Sequence, residues 1–521
     1  MIDGSQPTPS MAVEPAPRGR NPFDDSGVQR GEDGIARYSD RPRSLVHMLR
    51  ASVERDSQAT AIVEIGGRSL SYGELFDAAA RVAGGLRDAG IARGDRVAIR
   101  LANSADWVLA FFGCQLLGAV VVPVNTRFTE DEVAYLLEDS GAAFTFVAGV
   151  ALPDGEPAFV DDLAPDDLAA IFYTSGTTGF PKGAMTSHAN FTTNNENCFR
   201  VLDTPRDELS GLSTLVSVPL FHVTGCNSQL LPMLEWGGRI EILSGPLDLD
   251  GFFAAVGEHG VNQLVSVPAI YHAVIRHPKF SELDVDGVRW VSYGGAPIAE
   301  SLVQRIKEAF PNARVGNGFG LTETSSLSTF LPHEEAAEHA DSVGFATPVV
   351  DVAIDAPDDD TGVGELLVRG ANVVQGYWNK PEATAETFVD GWLHTGDLAR
   401  IDADGLLYIV DRKKDMINRG GENVYCIEVE NALAGAPGVG EAAAVGVPDE
   451  MMGEKVGAAI VPAPGATLDV AAVIAHCRGR LADFKVPQYV AVLSEPLPRN
   501  PGGKVLKAQL RDDTDWGKPL R

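Results

Sequence analysis

The chain has 521 residues, 45% of them hydrophobic and 22% charged, and 42 Lys+Arg against 72 Asp+Glu leave a net charge of −30. This is the composition of a soluble globular protein with large cores, and it excludes a mini-protein or a disordered scaffold. So negative a surface repels polyphosphate, which excludes nucleic acid and anionic membranes as general partners. Five scattered cysteines (Cys114, Cys198, Cys226, Cys426 and Cys477), with no C-x-x-C pair, point to a reducing cytoplasm and no zinc ribbon.

Residues 1–41 are rich in Pro, Gly, Asp, Arg and Ser, lack the basic-then-apolar order of a signal peptide, and read as a disordered extension. Ser71 and Glu74 form a capping box ahead of a helix marked by Leu75, Ala79, Val82 and Leu86, and a strand at 96–100 follows. The apolar run 107–124 is long enough to span a bilayer but contains Gly113, Gln115, Gly118 and Pro123. A buried helix ending at Gly118 and a buried strand at 119–122 account for it, with no integral membrane span. The rhythm of strand and helix recurs at 260–268 and 287–295 and predicts an α/β fold with parallel sheets and helices outside. Around residue 400 the texture changes to an Asp404-Gly405 turn, a short strand and the charged run Asp411-Arg-Lys-Lys-Asp415. Roughly a hundred residues then remain for a C-terminal domain with its own core.

The strongest chemical signal is Thr174-Ser-Gly-Thr-Thr-Gly-Phe-Pro-Lys-Gly183, after the apolar run 168–173. Hydroxyl residues and glycines at a strand's end let backbone N–H groups and hydroxyls wrap phosphate oxygens, and Lys182 adds positive charge. The pattern is not G-x-x-x-x-G-K-[ST], because Pro181 stands where the second glycine should be. A flexible Gly/Thr surface loop is the alternative for this segment alone. Gly316-Asn-Gly-Phe-Gly320 only superficially suggests a dinucleotide fingerprint, since Leu321 occupies the third glycine's place. His333 and His339, six apart, fall on different faces of a helix, and the acidic segment between them reads as a solvated helix, not a metal site.

The phosphate loop resembles that of the adenylate-forming superfamily of acyl-CoA synthetases, adenylation domains and luciferases. The resemblance extends over roughly 42–511 through Pro219-Leu-Phe-His-Val-Thr-Gly225, Tyr293-Gly-Gly-Ala-Pro297, Gly318-Phe-Gly-Leu-Thr-Glu323, Gly391-Trp-Leu-His-Thr-Gly-Asp397, Asp411-Arg-Lys-Lys-Asp415 and Pro498-Arg-Asn-Pro-Gly-Gly-Lys504. It implies a large N-terminal domain at 42–410, built of α/β subdomains with a small β-barrel-like subdomain. A hinge at 411–415, a small mobile α+β domain at 416–511 and a tail at 512–521 complete the chain.

The resemblance also implies roles. Thr174, Ser175, Gly176, Thr177, Thr178 and Lys182 hold phosphate. Gly295, Ala296, Pro297, Gly318, Phe319 and Gly320 line the nucleotide, with Phe319 on adenine, and Thr322 meets the α-phosphate. Glu323 holds Mg²⁺, a hard cation suited to a carboxylate and phosphate oxygens. Asp397 and Arg412 take the ribose hydroxyls, unless they form only a solvated salt bridge. His222, which could equally be a satisfied core histidine, stands between acyl pocket and nucleotide. Lys504 reaches from the small domain to the acyl carboxylate and α-phosphate. Lys414 is the hinge, and Gly420 and Gly421 line the coenzyme A tunnel, where a side chain would block the thiol. Cys426 stands where relatives usually carry proline, which predicts a less rigid loop. The implied activity is ATP-dependent formation of an acyl-adenylate from a carboxylic acid, then transfer to coenzyme A. Loading of a carrier protein and non-catalytic nucleotide binding are the alternatives.

The acyl pocket is expected to involve His222, Tyr271, Gly294, Gly295 and Leu321, with Trp236 at its far end. No tryptophan lies beside Gly320 to shorten it, and Gly294, Gly295 and Ser325 keep bulk low, which points to a medium- or long-chain or a bulky ring-bearing acid. The 218–225 segment offers no acidic partner for an amino acid's ammonium group. The resemblance admits a homodimer without fixing the oligomeric state.

Overall fold

The computed structural model describes residues 13–174, 181–244, 249–296, 298, 300–499 and 505–520. Among them, nine strands drawn from residues 60–71 and 213–346 form a sheet in which Thr60–Glu64, Arg239–Ile242, Ser213–Val216, Gln263–Ser266, Trp290–Gly294 and Arg314–Phe319 run parallel as neighbours. Antiparallel strands close both edges. A second sheet orders Phe144–Val147, Arg96–Arg100, Val120–Pro123, Leu168–Thr174 and Lys182–Ser187, parallel except for the last pair. Parallel strands need crossover helices, and these supply the apolar cover on which the sheets are buried.

The capping box at Ser71 and Glu74 is present and opens the helix Tyr72–Asp88. The run 107–124 folds as expected, into the helix Ala105–Leu117, closed at Gly118, and the buried strand Val120–Pro123. Trp107, Phe111 and Phe112 are fully buried there. Among the described residues no helix is long and apolar enough to cross a membrane.

Two antiparallel-rich units follow. Val350–Asp355, Gly364–Gly370, Trp392–Ile401, Phe388–Val389 and Leu407–Arg412 form one five-stranded sheet. The second, from Ile417–Arg419 to Tyr489–Val492, carries the helices Cys426–Ala434 and Val470–Arg478 over a core of its own that includes Ile417, Val429, Leu433, Val456 and Ile460.

Residues 13–41 correct the expected disordered extension. Val28–Arg30 and Ala36–Tyr38 pair antiparallel, and Ala36 and Tyr38 are buried. The Arg18 guanidinium donates to the carbonyls of Ala346, Thr347, Pro348 and Val350 at 3.0 to 3.3 Å, and Arg30 pairs with Asp351 at 2.7 Å. Arginine bonded to main-chain carbonyls holds this strap, so it leaves no apolar period to read. The tail also folds back: Leu520 N–H donates to the Gln488 carbonyl at 2.7 Å. The segment between His333 and His339 is a run of turns, not a helix. The His333 ring accepts from Val315 N–H at 2.9 Å, Ala336 is fully buried, and His339 meets the Tyr408 hydroxyl at 3.1 Å.

Candidate functional site

The strands Leu168–Thr174 and Lys182–Ser187 form a hairpin whose register sets Thr174 opposite Lys182 and Tyr173 opposite Gly183. The lysine thus stands at the mouth of the Gly/Thr loop. Ser175, Gly176, Thr177 and Thr178 lie outside the described residues, as do Pro297 and Lys504.

The other motifs converge through the nine-stranded sheet. Ser213–Val216, Gln263–Ser266, Trp290–Gly294 and Arg314–Phe319 are parallel neighbours, so their carboxyl ends open on one side. His222 follows the first of these strands, Gly295 and Ala296 the third, and Gly320 to Glu323 the fourth. Open α/β sheets bind ligands at such strand ends. Gly294 and Gly318 face each other in register, and a Cβ on Gly294 would come within 2.3 Å of the Gly318 carbonyl oxygen. At Gly320 a Cβ would lie 1.3 Å from the Ser326 carbonyl oxygen, so no other residue fits this backbone. Phe319, Leu321, Thr322 and Glu323 are half-buried.

His222 opens the turn Val223–Gly225, its Nδ1 accepting from Thr224 N–H at 3.3 Å. His222 is exposed, and desolvation by neighbouring protein lowers its pKa. Tyr271, expected at the acyl pocket, is fully buried, and its hydroxyl donates to the Ser292 carbonyl at 2.9 Å. Trp236 is buried edge-on to Phe199.

The turn carrying Thr322 and Glu323 is gripped by buried asparagines that the sequence reading missed. Asn372 Nδ2 donates to the carbonyls of Thr324 and Leu327 at 2.9 and 3.1 Å, Asn227 Nδ2 to that of Ser325 at 2.9 Å, and Asn194 Oδ1 accepts from Leu327 N–H at 2.9 Å. They stabilise a backbone in which Ser325 and Ser326 take φ of 54° and 117°, a conformation that costs non-glycine residues free energy. Glu323 itself accepts from the Tyr377 hydroxyl at 2.7 Å, and the Lys182 ammonium lies 5.1 Å from the centre of the same ring. Tyr377 was also missed, since 54 residues separate it from Glu323 and no motif joins them.

Asp397 and Arg412 face each other across neighbouring strands, Nε to Oδ1 at 2.6 Å, with Asp397 buried and Arg412 half-exposed. The next residue, Lys413, pairs with Glu365 at 2.9 Å, and Lys414 is exposed. Asp411 is buried. It accepts from Arg412 N–H at 2.8 Å and from Cys426 N–H, and burial pushes its pKa up to about 6. The Cys426 thiol donates to the Asp415 carbonyl at 3.0 Å. Cysteine therefore ties this loop down with an N–H that proline would lack. Gly420 and Gly421 are exposed with φ of 63° and 94°. Gly420 N–H donates to the Met452 carbonyl at 2.7 Å, Gly421 N–H to Asn418 Oδ1 at 3.0 Å.

The sequence matches the family AMP-binding enzyme at residues 49–159 and 150–378, and AMP-binding enzyme C-terminal domain at residues 428–504. It is 39% identical to a feruloyl-CoA synthase of Amycolatopsis sp, covering 88% of this chain and 96% of that protein. It is 34% identical to an indoleacetate–CoA ligase of Aromatoleum aromaticum, covering 85% and 93%. The fold is similar to that of the o-succinylbenzoate CoA synthetase from Bacillus subtilis in complex with its acyl-adenylate intermediate, with a TM-score of 0.81 and 28% identity over 91% of this chain and 99% of that one. The same synthetase in complex with ATP and magnesium ion gives a TM-score of 0.79, also at 28% identity, over 91% and 100%. The matches to both family models and to relatives along most of its length establish that the chain belongs to the AMP-binding enzyme family, as an AMP-forming acid–thiol ligase that uses ATP, Mg²⁺ and coenzyme A.

Proposed function

We propose that this ligase activates a medium- or long-chain or a bulky ring-bearing carboxylic acid in the cytoplasm, with the residue roles that follow. The observation that carries the reading is the meeting of Lys182 and Glu323 on one tyrosine, beside strand ends that also present Thr322 and His222. Thr174, Ser175, Gly176, Thr177, Thr178 and Lys182 hold the ATP phosphates, and Thr322 donates to the α-phosphate. Gly295, Ala296, Pro297, Gly318, Phe319 and Gly320 line the nucleotide. Asp397 and Arg412 take the ribose, their mutual ion pair fixing both side chains beforehand.

Glu323 offers a hard carboxylate oxygen close to a phosphate-binding lysine, which is the donor chemistry Mg²⁺ requires. Bound there, Mg²⁺ neutralises phosphate charge and makes the α-phosphorus more electrophilic. The acid's carboxylate attacks that phosphorus and pyrophosphate leaves. His222, whose pKa desolvation lowers, orients the carboxylate. Lys504 stabilises the developing charge.

The small domain then turns about Lys414, so that Gly420 and Gly421 replace Lys504 at the site. The coenzyme A thiol attacks the mixed anhydride and AMP leaves. The absence of side chains at Gly294 and Gly295, beside Leu321 at the strand ends, supports a bulky acid. So do the names of similar proteins, which act on feruloyl, indoleacetate and long-chain fatty-acid groups. Pyrophosphate release over a panel of acids, with and without coenzyme A, tests the reading. Coenzyme A-dependent turnover of ring-bearing or long-chain acids is expected. Comparable turnover of acetate and dodecanoate overturns the pocket assignment, and a burst indifferent to coenzyme A assigns the acyl group to a carrier protein.

A further inference from the structure

Tyr377 belongs to a segment with no part in the reaction as described so far. Residues 375–378 dock along the strand Lys182–Ser187: Met185 N–H donates to the Gly376 carbonyl at 2.9 Å, Trp378 N–H to the Gly183 carbonyl at 2.8 Å, and Tyr377 bridges Ala184. The phosphate-loop hairpin and the Tyr377 ring are therefore parts of one hydrogen-bonded unit. That ring packs edge-on against Phe388, with centroids 5.6 Å apart, and the Lys182 ammonium stands 5.1 Å from its centre. Cation and ring attract each other through the ring quadrupole.

The same segment grips the acidic turn twice. Val374 N–H donates to the Glu323 backbone carbonyl at 2.9 Å, and the Tyr377 hydroxyl donates to Glu323 Oε1 at 2.7 Å. A glutamate free to rotate would have to be ordered each time a cation bound. One whose first oxygen is already engaged has that ordering done in advance.

We propose that Tyr377 is a positioning residue for the divalent cation, its hydroxyl fixing the Glu323 carboxylate while its ring fixes Lys182, so that metal ligand and phosphate-binding cation are held in register by one side chain. The proposal rests on the reading of Glu323 as the metal ligand. Tyr377 acts through Glu323 and Lys182 and touches no reacting atom.

Calorimetric titration of the full-length protein with ATP, in the absence of any carboxylic acid, tests this in two arms, one with Mg²⁺ and one with EDTA. Tyr377→Phe removes one hydroxyl and leaves the ring on Phe388 and under Lys182. It is expected to weaken Mg·ATP binding about ten-fold, as for loss of one hydrogen bond to a charged group, with metal-free ATP binding unchanged. Tyr377→Leu, which also removes the ring from Lys182, is expected to weaken both arms. A Tyr377→Phe protein that binds Mg·ATP like the wild type, or that loses metal-free ATP binding by the same factor, overturns the proposal. Glu323→Gln separates the two levels. If it keeps the Mg²⁺-dependent gain, the metal-ligand reading fails, and if it loses that gain while Tyr377→Phe keeps it, only the role of Tyr377 fails.

Discussion

The strand end at Gly318 to Glu323 and the loop at Arg419 to Glu422 are both glycine-rich, but their glycines answer different constraints. At Gly320 the surroundings close in: a Cβ would meet the Ser326 carbonyl oxygen at 1.3 Å, and three buried asparagines hold the backbone beyond it. At Gly421 the backbone takes φ of 94°, while the space a Cβ would occupy is clear to 4 Å. The first glycine is required by packing and the second by conformation. The contrast separates a wall closed by packing from a loop, on a domain with a core of its own, that is shaped by backbone conformation; in the proposed function the first holds the nucleotide and the second admits the thiol.

That contrast can be broken from either side. The largest effect is expected from Gly320→Ala, where backbone oxygen cannot yield as a side chain would. More than about 4 kcal/mol of stability should be lost, with ATP binding, as read by melting and calorimetry. Lys504→Ala should slow adenylate formation by about 10² to 10³ while sparing thioester formation from supplied acyl-adenylate. Gly421→Leu should reverse that pattern, slowing thioester formation about 10²-fold, because the side chain fills the cleared space and strains the left-handed backbone.

The smallest expected effect sharpens the boundary between the two regions. Burial raises the Asp411 pKa to about 6 from 3.8, so the folded state holds its proton more tightly than the unfolded chain does. Stability from this group is therefore present at low pH and falls as pH rises from about 4 through about 6. Asp411→Asn should flatten that slope and raise stability at neutral pH by about 1 to 2 kcal/mol, read as melting temperature against pH.

Much of the fold was legible because it is written in local periodicity. The Ser71–Glu74 box, the helix stop at Gly118 and the buried strand after it all follow from residues within one turn of each other. Family motifs likewise brought Thr322, Glu323, Asp397 and Arg412 forward by chain position alone. What stayed illegible is held by single polar contacts between distant segments. Arg18 reaches carbonyls 330 positions away, and Tyr377 reaches Glu323 across 54. Asn194, Asn227 and Asn372 look in sequence like ordinary polar residues, and their burial beneath the Glu323 turn is decided by the sheet order. The His333 segment was misread for a related reason: its ring is spent on Val315 N–H, a tertiary bond that turns the chain where an acidic pattern suggested a helix.

The most direct test of the central claim, that the small domain presents different residues to the two half-reactions, is a single-turnover measurement of both in Lys504→Ala and Gly421→Leu. Adenylate formation should fail in the first variant and persist in the second, and thioester formation from supplied acyl-adenylate should do the opposite. Equal loss of both half-reactions in both variants would contradict the account, because Lys504 and Gly421 would then serve the site together and not in turn.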